Sequence, residues 1–285
     1  MKKIDKGTAF ARAHVSMFRC LVDDLPYTQI DGHSLICVNG HRLDMNKKGS
    51  LVFLTHTVNT EYDDNMLAAR RRVLSAGLFD GIVDAVERAL PDEAQRILDV
   101  GTGEGTPFVK LLDQRGGRDV GIGFDISREG VNLATQLDSD AFFAVADLAN
   151  LPFTAGSFDS VIEFFSPSAY GEFERVIKDQ GTIVKVVPSS GYLHELREIL
   201  YPVDSPNHTY NNDKVVELFK QHYPEATVEE VRYEWAIPAE LYKDLLHMTP
   251  LHWGARPEAQ AAAEATPLPS VTVHVMVLKA QVTKE

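Results

Sequence analysis

Cysteine is nearly absent from the 285 residues, with only Cys20 and Cys37 present. Two thiols cannot build the disulfide framework of a small secreted domain. No apolar signal segment follows Met1-Lys-Lys-Ile-Asp-Lys-Gly7, so the expected location is a reducing cytoplasm. Long hydrophobic runs are missing too, none approaching the roughly 18 to 20 residues that a membrane span requires. Net positive charge is lacking. The chain carries −13 at neutral pH, which over its whole length argues against a nucleic-acid partner, because phosphate binding draws on clustered Lys and Arg. Internal repeats are absent, and the nearest approach to low complexity is the Ala/Glu-rich stretch 258–265. What remains is an ordinary folded composition, 44% hydrophobic and 24% charged. The length suits one main domain of about 200 residues with an appendage.

The charge is unevenly placed. Residues 1–60 hold eight Lys/Arg against five Asp/Glu, which leaves 20 basic and 36 acidic residues for 61–285. A mildly basic N-terminal unit on an acidic body is the division expected if only the first unit meets an anionic polymer, though chance produces the same split.

From residue 82 onward the hydrophobic pattern alternates between helix and strand. Ile82–Leu90 has helical spacing and stops at Pro91, and Arg96–Val100 reads as a buried strand. A helix then starts at Phe108, a strand spans Val120–Phe124, and Ser127 caps a helix running to about Gln136. Strands over Ala141–Val145, Ser157–Glu163 and Thr182–Val187 follow, with a helix over Tyr170–Ile177. Such alternation predicts an open, doubly wound, mostly parallel sheet covered on both faces. The long β-branched segments 226–235 and 270–278, separated by a helix over Ala239–Met248, predict an antiparallel hairpin at its edge, seven strands in all.

The chemistry centres on Ile97-Leu-Asp-Val-Gly-Thr-Gly-Glu-Gly105, a strand entering a glycine-rich turn before a helix. Glycine there allows a ligand to approach backbone, but the motif alone fits many nucleotide folds. Asp99 and Glu104 sharpen it. Two acids at this point repel a pyrophosphate, whereas they suit S-adenosylmethionine, whose reactive end is cationic. Asp125, 22 residues beyond Gly103 at the end of the next strand, is placed to accept hydrogen bonds from ribose hydroxyls. Asp147 follows the third strand, where an adenine amine is read. The adjoining Ile126 and Leu148 are counted with Asp125 and Asp147 as cofactor positions.

The series Asp99, Gly101, Gly103, Asp125, Asp147, Leu151-Pro-Phe153, Phe158-Asp159 resembles the class I S-adenosylmethionine-dependent methyltransferases over about residues 95–190. The flanks resemble one group among them. Phe18-Arg-Cys20, Ile36-Cys-Val-Asn-Gly-His41, Leu43-Asp-Met-Asn-Lys-Lys-Gly49, Met66–Arg72 and Leu246-His-Met-Thr-Pro250 with Trp253 are similar to the bacterial 23S rRNA (guanine-N1)-methyltransferases. That resemblance implies an rRNA guanine-N1 methyltransferase, with S-adenosylmethionine as cofactor and 23S rRNA as partner. It implies neither DNA nor a membrane as partner and leaves a homodimer open. It also implies a zinc-ribbon-like RNA-recognition unit over 1–60 and a methyltransferase domain over 61–285. Members carry a Cys-x2-Cys and then a Cys-x3-His; here Asp23 stands in place of the second cysteine. Cys20, Asp23, Cys37 and His41 are therefore the expected zinc ligands, with Asp24 or His33 as substitutes and an empty site as the alternative. The resemblance further places Phe79, Gly103, Glu104 and Tyr192 beside the cofactor.

No general base stands out. Glu163, Ser166 and Tyr170 surround the end of the fourth strand, where acceptors enter such sheets, and are candidates by position alone. Arg42, Lys47, Lys48 and Arg70–Arg72 are the candidate RNA contacts, unless helical arginines pair with Asp63, Asp64 or Asp80 instead. A methyltransferase of small molecules, and a protein that binds S-adenosylmethionine without transferring its methyl group, are the competing functions.

Overall fold

The computed structural model describes residues 1–54 and 63–284. Strands are numbered in chain order: β1 (Tyr27–Asp31), β2 (Ser34–Cys37), β3 (Arg42–Asp44), β4 (Leu51–Val52), β5 (Arg96–Val100), β6 (Val120–Asp125), β7 (Phe142–Val145), β8 (Phe158–Phe164), β9 (Ile177–Pro188), β10 (Thr227–Ala236) and β11 (Ser270–Gln281). β1 to β3 form a small antiparallel sheet, and the other eight form one large sheet in the order β10-β11-β9-β8-β5-β6-β7-β4.

The predicted α/β sheet is present, with its parallel centre and its antiparallel hairpin of β10 and β11 docked on β9. The expected count of seven is one short. The eighth strand is β4, whose Leu51 and Val52 pair in parallel with Ala144 and Val145 of β7. Two residues are too few for alternation to show, which hid this strand. A helix over Lys3–Ala13 was likewise not foreseen. Its apolar stripe is weak because Gly7 and Thr8 supply much of its buried face.

β5, β6 and β8 are buried along almost their whole length, as central parallel strands must be. Side chains alternate between two hydrophobic layers. Ile97, Ile162 and Val184 face one layer, with Phe79, Leu78 and Phe108. Leu98, Val161 and Ile183 face the other, with Phe18, Phe142 and Phe153. The second layer also takes in Cys20, Leu35, Cys37 and Phe53, so the N-terminal unit shares its core with the sheet. Phe18 lies 5.5 Å from Phe142 and 6.0 Å from Phe153, ring centre to ring centre. The boundary expected between residues 60 and 61 lies outside the described residues.

Caps follow the expected chemistry. Asp63 accepts from Met66 N–H at 2.7 Å to start the helix Asp64–Ser75. Ser127 Oγ accepts from Gly130 N–H at 3.1 Å to start Arg128–Ala134, which ends two residues earlier than expected.

Candidate functional site

The parallel strands direct their C-terminal ends to one edge, and beside the switch point between β5 and β8 the chain leaves β5 in the turn Gly101–Gly105. Gly103 has φ +56°, and a Cβ added there would meet nothing within 4 Å, so its open side faces free space beside the turn. Gly101, at φ +69°, has no such room, because a Cβ would come to 3.0 Å from Ser166.

Asp125 closes the turn. Its Oδ2 accepts from Gly103 N–H at 2.8 Å and its Oδ1 from Ser127 N–H at 2.8 Å. Each oxygen keeps lone-pair capacity for a further donor, which is what a ribose diol requires. Burial raises its carboxyl above the usual range, while these backbone donors and the nearby Arg70 charge oppose the rise. Asp99 is 2% exposed, and its Oδ1 has no hydrogen-bond partner among the described residues. Burial, with repulsion from Asp125 and Glu104, pushes it up to about 7. A buried, unsatisfied carboxylate at this point fits a cationic ligand.

Glu104 is turned inward. Its oxygens accept from Thr106 Oγ1 at 2.5 Å and Thr106 N–H at 3.3 Å, and Arg71 Nε stands 3.3 Å away. These bonds tie Glu104 into the turn. Asp147 Oδ1 accepts from Ala149 N–H at 2.8 Å beyond β7, with Leu148 packed beneath. Ile126 is partly exposed next to Asp125.

On the other side of β5, Phe79, Phe165 and Tyr192 form an aromatic group, with Phe165 5.3 Å from Phe79 and 5.4 Å from Tyr192. Arg70 lies over the Phe79 ring at 5.4 Å. Phe165 and Arg70 join this group without having stood out in the sequence. Phe165 sits in the apolar run Glu163-Phe-Phe165, and Arg70 is one of three consecutive arginines, so neither is distinguished from its neighbours by sequence.

The three candidates at the end of β8 separate. Glu163 is 1% exposed, and its Oε2 accepts from Lys185 Nζ and Ser168 Oγ, each at 2.8 Å. Burial raises its carboxyl, and Lys185 opposes the rise. Ser166 donates its hydroxyl to Val100 O. Tyr170 stacks on His222 at 3.8 Å, on the opposite face of the sheet from Phe165.

The N-terminal unit gathers Cys20, Asp23, Cys37 and His41, whose donor atoms all lie within 4.8 Å of one another. His41 Nδ1 is 3.6 Å from Cys20 Sγ, 3.4 Å from Cys37 Sγ and 3.1 Å from Asp23 Oδ2, and Cys37 Sγ is 3.3 Å from Asp23 Oδ2. Zinc bonds of about 2.0 to 2.3 Å set neighbouring donors of a tetrahedron roughly 3.3 to 3.8 Å apart, so the donor set fits. The two substitutes do not belong to this group: Asp24 pairs with Arg19 at 2.6 Å, and His33 Nδ1 contacts Thr8 Oγ1 at 2.8 Å.

Of the expected RNA contacts, Lys47 and Lys48 are exposed on a turn held by Asn46. Arg42 contacts Asp31 at 3.1 Å. Arg71 and Arg72 are engaged elsewhere, Arg71 on Glu104 and Arg72 on Asp244 through two bonds of 2.6 Å. Their acids come from distant parts of the chain, not from Asp63, Asp64 or Asp80.

This sheet and its acid-flanked turn define a methyltransferase. Residues 91–233 match the family described as "Methyltransferase domain". YxjB of Bacillus subtilis (strain 168), provisionally named a 23S rRNA (guanine-N1)-methyltransferase, is 38% identical over 92% of this chain and 96% of its own. The 23S rRNA (guanine(748)-N(1))-methyltransferase of Streptomyces fradiae is 26% identical over 92% of this chain and 95% of its own. A solved phosphoethanolamine N-methyltransferase 2 of Haemonchus contortus, in complex with S-adenosyl-L-methionine, overlays with a TM-score of 0.50 at 16% identity. It covers 80% of this chain and 59% of that one, a likeness of fold alone. The chain belongs to the 23S rRNA (guanine-N1)-methyltransferase family, within the class I S-adenosylmethionine-dependent methyltransferases. No helix among the described residues is long and apolar enough to cross a membrane.

Proposed function

We propose that this protein transfers a methyl group from S-adenosylmethionine to N1 of a guanine in 23S rRNA, in the cytoplasm. The observation that carries the reading is the near full-length match to YxjB, which spans the N-terminal unit as well as the methyltransferase sheet. A small-molecule enzyme sharing only the sheet would not account for that unit.

When bound, S-adenosylmethionine would supply a methyl group activated by sulfonium charge for transfer to N1, the S–C electron pair staying on sulfur and the N1 proton passing to solvent water. The chain's share is alignment. Asp125 would hold the ribose, Asp99 the cationic end, the open side of Gly103 would admit the ligand, and Asp147 would face the adenine, with Ile126 and Leu148 beside them. Phe79 and Tyr192 would wall the far end. Glu163 is sealed beneath its loop by Lys185, so among Glu163, Ser166 and Tyr170 none is assigned as base.

Residues 1–60 would recognise RNA and 61–285 transfer the methyl group, with a core common to both. A zinc ion on Cys20, Asp23, Cys37 and His41 would pin β2 against the preceding loop, and Lys47 and Lys48 would meet phosphates. Tritiated-methyl transfer to ribosomal RNA from a strain lacking the gene, with mapping of the labelled base, tests the reading. Label on guanine N1 is expected; no label in 23S rRNA sinks it.

A further inference from the structure

Among the described residues, four other than glycine have positive φ: Asp24, Phe165, Gln180 and Leu193. Phe165, at φ +61°, is the aromatic one, and it follows directly on the central strand β8. Crowding at Cβ disfavours this conformation for any L side chain, so it survives only where neighbouring bonds dictate it. Here they do. Phe165 N–H donates to Val186 O at 3.1 Å. The next residue is held twice, since Ser166 Oγ donates to Val100 O and Ser166 O accepts from Lys185 Nζ at 2.8 Å. Lys185 is itself fixed by Glu163 and by Ser168 Oγ at 2.9 Å.

The result is a partly exposed ring set edge-on to Phe79, at 76°, beside Tyr192. Its place separates it from the nucleoside end of the cofactor. Asp125 ends β6 on one side of β5, and Phe165 follows β8 on the other. A ligand whose ribose lies at Asp125 and whose chain crosses the turn 101–105 brings its reacting end toward β8. Strained residues collect at ligand clamps, and an aromatic face accepts a base by stacking.

We infer that Phe165 is the platform on which the acceptor purine stacks while its N1 faces the methyl group, an inference that rests on the rRNA reading above. The Glu163–Lys185 pair then acts as a positioning device, holding the loop that aims the ring.

The test compares wild type with Phe165→Gly, Phe165→Tyr and Phe165→Leu. Glycine removes the ring and also relieves the left-handed strain, so folding is expected to survive, with a thermal midpoint near that of wild type. S-adenosylhomocysteine affinity, read by calorimetry, should stay within about twofold. Methyl transfer to a 23S rRNA fragment should fall roughly ten- to a hundredfold in F165G and F165L, the scale of one lost base–aromatic stack. F165Y should restore it. Transfer by F165G equal to wild type overturns the platform, as does a parallel loss of cofactor affinity, which would make the ring a cofactor wall. Absence of transfer by wild type is a different result: it sinks the rRNA reading and takes the platform with it.

Discussion

Arg71 reaches from the helix Asp64–Ser75 to Glu104 in the glycine turn, placing Nε 3.3 Å from Oε2 and donating from Nη2 to the Glu104 carbonyl at 2.9 Å. The Glu104 side chain is fully buried and that of Arg71 is 20% exposed. Removing the cation leaves a buried carboxylate without its counter-charge, so Arg71→Ala should cost about 3 kcal/mol. Urea unfolding measures it, and adding Glu104→Gln should recover part of the loss. A loss from Arg71→Ala below about 0.5 kcal/mol would mean that this pair does not hold the turn.

Asp125 ties together Gly103, Ser127 and, on the proposed reading, the ribose. Asp125→Asn keeps one acceptor oxygen for the backbone while removing the charge. Its affinity for S-adenosylhomocysteine should drop roughly ten- to a hundredfold, the scale of one charged hydrogen bond. An unchanged dissociation constant by calorimetry takes Asp125 out of the site.

Asp99 gives a pH dependence with a definite sign. Its carboxyl is raised by burial from 3.8 to about 7, so between those values the folded chain keeps a proton that the unfolded chain has released. The stability from this group is complete below pH 4 and is lost as pH rises through 7, at up to about 1.4 kcal/mol per unit. Asp99→Asn removes the dependence. The stability of Asp99→Asn relative to wild type should therefore rise from pH 4 to 7 and then level, read from urea midpoints at fixed salt. A difference that stays flat across this range shows that Asp99 is ionised in the fold.

The Cys20, Asp23, Cys37 and His41 group predicts close to one zinc per chain in protein purified without added metal. Chelation should lower the thermal midpoint, because binding energy at a structural site is folding energy. Cys37→Ser should reduce both the zinc content and the response to chelator. Zinc near zero in a folded protein rules out the ligand set.

Lys47 and Lys48 are exposed and near the start of β4. The charge reversal Lys47→Glu/Lys48→Glu should collapse transfer to 23S rRNA fragments and flatten its salt dependence, while S-adenosylhomocysteine binding stays level. If transfer and its salt slope are both unaffected, RNA is held by another surface.

The fold was legible in the chain because a doubly wound sheet writes its period locally. Runs such as Arg96–Val100 and Val120–Phe124 are buried on both faces, and each is followed by a helix signal. That Asp99, Gly101, Gly103 and Asp125 gather at one turn was legible for a related reason, since a turn between a strand and a helix fixes which residues lie together there. The Cys-x2-Asp and Cys-x3-His spacings likewise placed two donors each on short loops.

What the chain did not display are the partnerships between residues far apart in it. Arg70, Arg71 and Arg72 are three alike in sequence, yet a helix turns successive side chains by about 100°. One thereby lies over Phe79, one on Glu104 and one on Asp244. β4 depended on a neighbour, β7, nearly a hundred residues away, and the left-handed backbone of Phe165 depended on Val100, Lys185 and Val186. Local pattern sets which segments become strands, helices and turns. Which charges are neutralised, which acid stays unpaired and which ring lies between Phe79 and Tyr192 were decided only when packing brought distant segments together.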